Sequence, residues 1–262
     1  MNQILKVENL TVKIGNKIVL ENINLSVNKG EIVAILGPNG GGKTTLIRTC
    51  LGFIKPYKGY VELLGTTPKK AVKTGKVGYL PQKSATPKNF PFSALDVVLL
   101  GLINKKLPKE KKIEIAKKYI SFVGMSGFED YPFSQLSGGQ QQRISIARLL
   151  VAEPEIIFLD EPATGVDVVA QEGFYQFLRR LKEEKNITIL MVSHDIGVVG
   201  TFVDKVAGLN KKLHYYGEPK GFFQKHILEE LYGAEVKLLI HSPECISCEY
   251  FYVDTPTSKK DI

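Results

Sequence analysis

Apolar and polar residues alternate from Leu5 to Ile14, where Leu10, Val12 and Ile14 share a side, and again from Ile23 to Val27. A period of two predicts strands with one buried face, and the turn formers Gly15-Asn16 and Lys29-Gly30 make them an antiparallel sheet. Glu31 to Leu36 reads differently. Five of its six residues are apolar and three are β-branched, the pattern of a parallel strand buried on both faces. Ile156 to Leu159 and Ile187 to Val192 predict two more such strands. Further strands are expected at Gly59 to Leu64 and Lys76 to Leu80, separated by a lysine-rich loop, and at Val206 to Leu209 and Lys212 to Tyr216. From Ser84 to Ala152 the period changes to that of helices, with segments at Leu95 to Ile103, Glu110 to Val123 and Gln141 to Val151. Two more helices are expected, one from Val168 to Leu181 and one from Gly221 through Leu231.

Composition adds bounds. The chain has 262 residues, 44% hydrophobic and 24% charged, with no low-complexity tract. No apolar run reaches the roughly 18 residues of a membrane span, and Met1 to Leu10 lack the pattern of a signal peptide, so a cytoplasmic location is expected. Three cysteines agree with a reducing compartment. The net charge of +8 comes largely from dispersed lysine pairs such as Lys69-Lys70 and Lys111-Lys112, which read as solvated surface. No aromatic residues interleave with them as base stacking requires, so no nucleic-acid partner is expected.

The candidate chemistry gathers where the buried strands end. After Leu36 come Gly37, Pro38, Asn39, Gly40, Gly41, Gly42, Lys43, Thr44 and Thr45. Little side-chain bulk lets consecutive backbone N–H groups close around an anion at the start of a helix. The spacing of Gly37, Gly42, Lys43 and Thr44 fits the Walker A pattern, in which Lys43 reaches the β- and γ-phosphates of a nucleotide and the Thr44 hydroxyl ligates Mg²⁺. The strand ending at Leu159 delivers Asp160, suited to holding Mg²⁺ through its water shell, and Glu161, suited to orienting or deprotonating a water. His194 follows the next buried strand at the same edge, where a γ-phosphate contact is expected. A second anion surface is read at Ser137, Gly138, Gly139 and Gln140. Ser137 is a natural N-cap, and adjacent glycines, poor helix formers, admit close backbone approach. Asp167 is a further candidate for nucleotide binding, against the blander reading of an N-cap for the Val168 helix. His241, Cys245 and Cys248 follow an H-x₃-C-x₂-C spacing that supplies three of a tetrahedral zinc ion's ligands, against the blander reading of a tail with incidental cysteines.

In this order, the Walker A stretch, Gln82, the Leu136 to Gln140 signature, Asp160-Glu161, the loop through Asp167, and His194 resemble the ATP-binding cassette (ABC) family. The resemblance covers about Ile4 to Gly233. It implies a P-loop NTPase core with a mixed, mostly parallel sheet, an N-terminal antiparallel β-subdomain and a helical subdomain at about 84–152, all within residues 1–233, followed by a tail at 234–262. It implies an ATPase working as a homodimer, with ATP held between one subunit's Walker A and the other's Ser137, Gly138 and Gly139. It also implies that Gln82 takes part at the Mg²⁺ and hydrolytic site. Two departures stand out. Ile14 occupies the position where the family stacks an aromatic residue on adenine, and Gly41 stands where it mostly has Ser, Ala or Cys. The runs NFPFSALDVVLLG, PATGVDVVAQ and VSHDIGVVG look like the ATPase subunits of zinc or manganese importers, with siderophore and cobalamin importers next. That likeness implies a peripheral protein on the cytoplasmic face of the membrane, docked on a polytopic permease through about Ser84 to Leu102 and meeting a solute-binding protein only indirectly. A stand-alone soluble ABC ATPase of the cluster-assembly type is the alternative.

Overall fold

Among the residues that the computed structural model describes, 3–82, 90–162, 168–194 and 202–233, nine strands divide into two sheets. The smaller is antiparallel, in the order β2 (Lys17–Asn28), β1 (Gln3–Ile14), β4 (Lys58–Leu63). The larger runs β5 (Val77–Leu80), β6 (Ile156–Asp160), β7 (Thr188–Val192), β3 (Ile32–Leu36), β8 (Lys205–Asn210), β9 (Lys212–Gly217). Every pair in it is parallel except β8 with β9.

The strands sit where their side-chain pattern requires. Every residue of β3, β6 and β7 is buried, as expected of strands covered on both faces. Alternate residues of β3 feed two cores. Ile32, Ala34 and Leu36 join the core built with α3 (Ala94–Leu99), α4 (Lys109–Phe122), α5 (Gly138–Leu150) and α6 (Val168–Lys185). Val33 and Ile35 join the core shared with α1 (Lys43–Cys50) and the antiparallel sheet. Between β5 and β6 the described chain is helical throughout its regular elements.

Three details depart from the sequence reading. The lysine-rich loop contains a helix, α2 (Pro68–Lys73), whose single buried residue is Ala71; one apolar position leaves no period to detect. The segment Leu95 to Ile103 is α3 followed by a 3₁₀ turn at Leu100–Leu102. The last expected helix is two, α7 (Pro219–Phe222) and α8 (Lys225–Tyr232), with Gln224 extended at ψ 134°. Phe222 and Phe223 are both buried at the point where the chain leaves helical geometry.

The turn between β8 and β9 backs onto the loop that follows β3. A Cβ on Gly37 would lie 2.0 Å from the Leu209 carbonyl oxygen, whereas one on Gly40, at φ 76°, meets nothing within 4 Å. Gly40→Ala therefore suffers backbone strain alone, about 1–2 kcal/mol, or roughly 2–8 °C of Tm at this size. Gly37→Ala adds a collision with main chain that no rotamer relieves. Thermal unfolding without nucleotide should show the larger loss for Gly37→Ala, and equal losses would mean that the turn yields.

Candidate functional site

Parallel register brings the strand ends to one height. Leu80 lies opposite Leu159, Asp160 opposite Val192, and Val192 opposite Ile35. Gln82, Glu161, His194 and Gly37 each follow within two residues of that line, at the carboxyl edge where open α/β sheets bind ligands.

The loop from Gly37 to Gly42 leads into α1 through Gly42, which is left-handed at φ 95° and has Leu20 against it. Lys43 is buried, and its ammonium donates to the carbonyls of Gly37 at 2.8 Å and Pro38 at 2.9 Å. Burial pulls its pKa down, against the attraction of Glu161 and Asp160. The Thr44 hydroxyl donates to Asp160 Oδ1 at 3.1 Å. Asp160 is 1% exposed, and burial pushes its pKa up despite that hydrogen bond.

The neighbouring Glu161 joins the other two predicted hydrolytic residues. Gln82 Nε2 donates to Glu161 Oε2 at 2.6 Å, and His194 Nε2 stands 2.6 Å from Oε1. The backbone of Glu161 is left-handed at φ 51°, uncommon for a residue with a Cβ, and its N–H donates to the Val192 carbonyl at 3.2 Å. Gln82, Glu161 and His194, 79 and 33 residues apart along the chain, thus form one cluster beside the Thr44–Asp160 pair.

Ser137 and Gln140 lie apart from that cluster, joined as a capping box at the start of α5. Ser137 N–H donates to Gln140 Oε1 at 2.9 Å, and Gln140 N–H donates to Ser137 Oγ at 3.3 Å. Helix α5 begins at Gly138, so both glycines sit in its first turn, where N–H groups lack intrahelical partners. Ile14, 53% exposed, ends β1 opposite Lys17 at the hairpin tip, two residues beyond the Val12–Leu20 pair that packs towards Gly42. Asp167, residues 84–89 of the expected docking surface, and His241, Cys245 and Cys248 lie outside the described residues.

Sequence reasoning missed the rear wall of the loop. A Cβ on Gly41 would lie 2.9 Å from the Leu209 carbonyl oxygen and 3.0 Å from that of Pro38, so glycine is needed there for space. It also missed Tyr175, whose hydroxyl reaches Ser193 Oγ at 3.2 Å behind His194. Only an aromatic on the inner stripe of α6 hinted at it.

Residues 20–164 match the family model of ABC transporters, and a shorter match at 129–200, to an AAA domain described for a type IV toxin–antitoxin system, overlaps its Asp160-Glu161 stretch. The "Probable metal transport system ATP-binding protein" of Thermotoga maritima is 42% identical over 82% of this chain and 85% of its own length. The manganese transport system ATP-binding protein of Bacillus subtilis is 37% identical over 89% of this chain and 94% of its own, and a zinc uptake system ATP-binding protein of Listeria innocua 34% over 95% and 98%. Among solved structures, the Clostridium perfringens cassette that is part of the cbiONQ transporter complex superposes with a TM-score of 0.77 at 30% identity, covering 91% of this chain and 96% of that one. A bacterial ABC transporter cassette solved in dimeric form gives 0.71 at 30%, over 82% and 98%. On the family match and these identities over most of its length, the chain belongs to the ABC transporter family, as one of its ATP-hydrolysing cassettes.

Proposed function

We propose that the chain is the ATPase subunit of a zinc or manganese importer, acting as a homodimer at the cytoplasmic face of the membrane. The observation that carries the hydrolytic reading is the convergence of Gln82 and His194 on the two oxygens of Glu161, beside Thr44 and Asp160. The metal cargo is supported by the names of the relatives above. In this reading residues 1–233 form the ATPase unit, 84–152 its helical part, and 234–262 a tail whose His241, Cys245 and Cys248 remain candidate zinc ligands. Ser84 to Leu102 meets a polytopic permease.

ATP enters with its phosphates on the backbone N–H groups of Gly40 to Thr45, at the start of α1. Lys43 exchanges the Gly37 and Pro38 carbonyls for β- and γ-phosphate oxygens, which are better acceptors because they are charged. Ile14 covers the base with aliphatic surface. A second subunit supplies Ser137, Gly138, Gly139 and Gln140, the capped start of α5, whose helix N-terminus closes on the γ-phosphate from the other side, and Asp167 belongs to the same closing surface. Glu161 orients a water and takes its proton, while Gln82 and His194 hold that carboxylate and the phosphate in place. Gln82, two residues past β5, is joined in sequence to the segment that meets the permease, so its contact with Glu161 links docking to hydrolysis.

The donor set fits Mg²⁺. A hydroxyl and a buried carboxylate 3.1 Å apart are hard oxygen ligands of the kind that ion takes alongside waters and phosphates, and the Gln82 side-chain amide at Glu161 offers a further oxygen. When bound, the ion neutralises charge on the phosphates. Thr44 and Asp160 hold its place, and Gln82 contributes from β5.

Glu161→Gln should keep ATP binding, lower turnover at least about a hundredfold and give an ATP-dependent dimer, as expected for loss of a general base. Steady-state turnover within threefold of wild type would remove Glu161 from that role. Purification from native membranes should bring down a polytopic membrane protein; a soluble scaffold complex instead would favour the cluster-assembly alternative.

Burial raises the Asp160 pKa, so its charge opposes folding when no cation is present. The native state binds the proton more tightly than the unfolded chain, and stability from this group falls as pH rises from the unfolded carboxyl value through the folded one. Asp160→Asn should therefore raise Tm by about 2–4 °C per kilocalorie relieved at neutral pH without Mg²⁺ or nucleotide. The gain should vanish below about pH 4, near the unfolded carboxyl pKa. With Mg²⁺ and ATP the order should reverse. A lower Tm for Asp160→Asn under the metal-free neutral condition would contradict the electrostatic reading.

A further inference from the structure

The rear of the phosphate loop is gripped by residues near the end of the described chain. Lys211 N–H donates to the Gly41 carbonyl at 2.9 Å, and the Lys211 carbonyl accepts from Glu21 N–H at 2.8 Å. The Leu209 carbonyl stands so close to Gly37 and Gly41 that neither tolerates a Cβ. Gly41 carries no positive φ, so proximity rather than backbone conformation demands glycine there. The Ser, Ala or Cys usual at this position would require the β8–β9 turn to stand back. Here it presses directly on the loop, with Lys211 held in the left-handed region at φ 58°.

That turn is in turn held by α8. Asn210 Nδ2 donates to the Leu231 carbonyl at 3.2 Å, an acceptor in the last turn of the helix that has no intrahelical donor. His214 Nε2 meets the Asn210 carbonyl at 3.3 Å while its Nδ1 lies 3.5 Å from Glu230. The Leu231 side chain packs against Gly208, 3.5 Å from the place of a Cβ. Tyr232, the last residue of α8, brings its hydroxyl to the Gly37 backbone.

We infer that Asn210 is a positioning residue for nucleotide: by fastening the β8–β9 turn to the carboxyl end of α8, its amide holds the phosphate loop in the shape that binds ATP. It touches no phosphate and acts through Leu209, Lys211 and Gly41. A loop already ordered loses less entropy on binding, so releasing the brace weakens affinity without altering the groups that perform hydrolysis. The inference rests on the nucleotide-site reading above.

The test compares Asn210→Ala and Asn210→Asp with wild type in the full chain. One neutral hydrogen bond corresponds to about two- to tenfold in an equilibrium constant. Asn210→Ala should raise the ATP dissociation constant and KM by about that factor, with kcat at saturating ATP within twofold of wild type. Asn210→Asp should do worse than Ala, because it sets a carboxylate against the Leu231 carbonyl. In the absence of nucleotide, amide exchange should quicken at Gly40 to Gly42 in Asn210→Ala and stay unchanged in the β1–β2 pairing. A lower Tm with unchanged ATP affinity and unchanged loop exchange would make Asn210 merely structural and overturn the inference. So would a loss confined to kcat. If Asn210→Ala fails to fold, the affinity of Asn210→Asp and its exchange at Gly40 to Gly42 decide in the same way. Wild-type ATP binding separates the two levels: its absence removes the nucleotide site itself, whereas intact wild-type binding with unaffected variants removes only the brace.

Discussion

The register of β6, β7 and β3 is the constraint on which the rest depends. Each is buried on both faces, so a slip of one residue would move Ile32, Ala34 and Leu36 from the helical core into the opposite one and carry Val33 and Ile35 the other way. Packing therefore holds the strands level. Level strands deliver the phosphate loop, Asp160-Glu161 and His194 to one edge at one height, although these residues are far apart in sequence. The geometry of the candidate site follows from how two cores are filled.

Glu161 shows what that edge tolerates. Its left-handed backbone is unfavourable by about 1–2 kcal/mol for a residue with a Cβ, and such strain persists only where neighbours over-determine it. Here the neighbours are identifiable: the Val192 carbonyl takes its N–H, while Gln82 and His194 take its carboxylate from opposite sides. The strain is local to the residue that the hydrolytic reading needs most.

The fold and the centre of the site were legible because they rest on strong patterns. Unbroken apolar runs mark β3, β6 and β7, and the glycine-rich, acidic and histidine residues that follow them stand at the same edge. What stayed hidden lacks a periodic signal. Helix α2 buries one alanine, and the α7–α8 break is a single extended residue, Gln224, that no periodic pattern marks. The Leu209–Gly37 approach joins main-chain atoms 172 residues apart, which no side-chain pattern encodes. Gly41 was legible as a departure, but its reason was not, since a missing side chain does not say which neighbour excludes it.

Lys43 adds a property that static binding pictures omit. Its ammonium is already satisfied by two carbonyls of its own loop, and burial already disfavours its charge. A ligand must therefore outcompete neutral oxygens held at short range before it gains the lysine. A singly charged anion already improves on a carbonyl as an acceptor, and the crowded oxygens of a polyphosphate improve on it further. In the proposed nucleotide site the two carbonyls are thus a built-in reference competitor, against which the density of charge on a ligand would count as well as its shape.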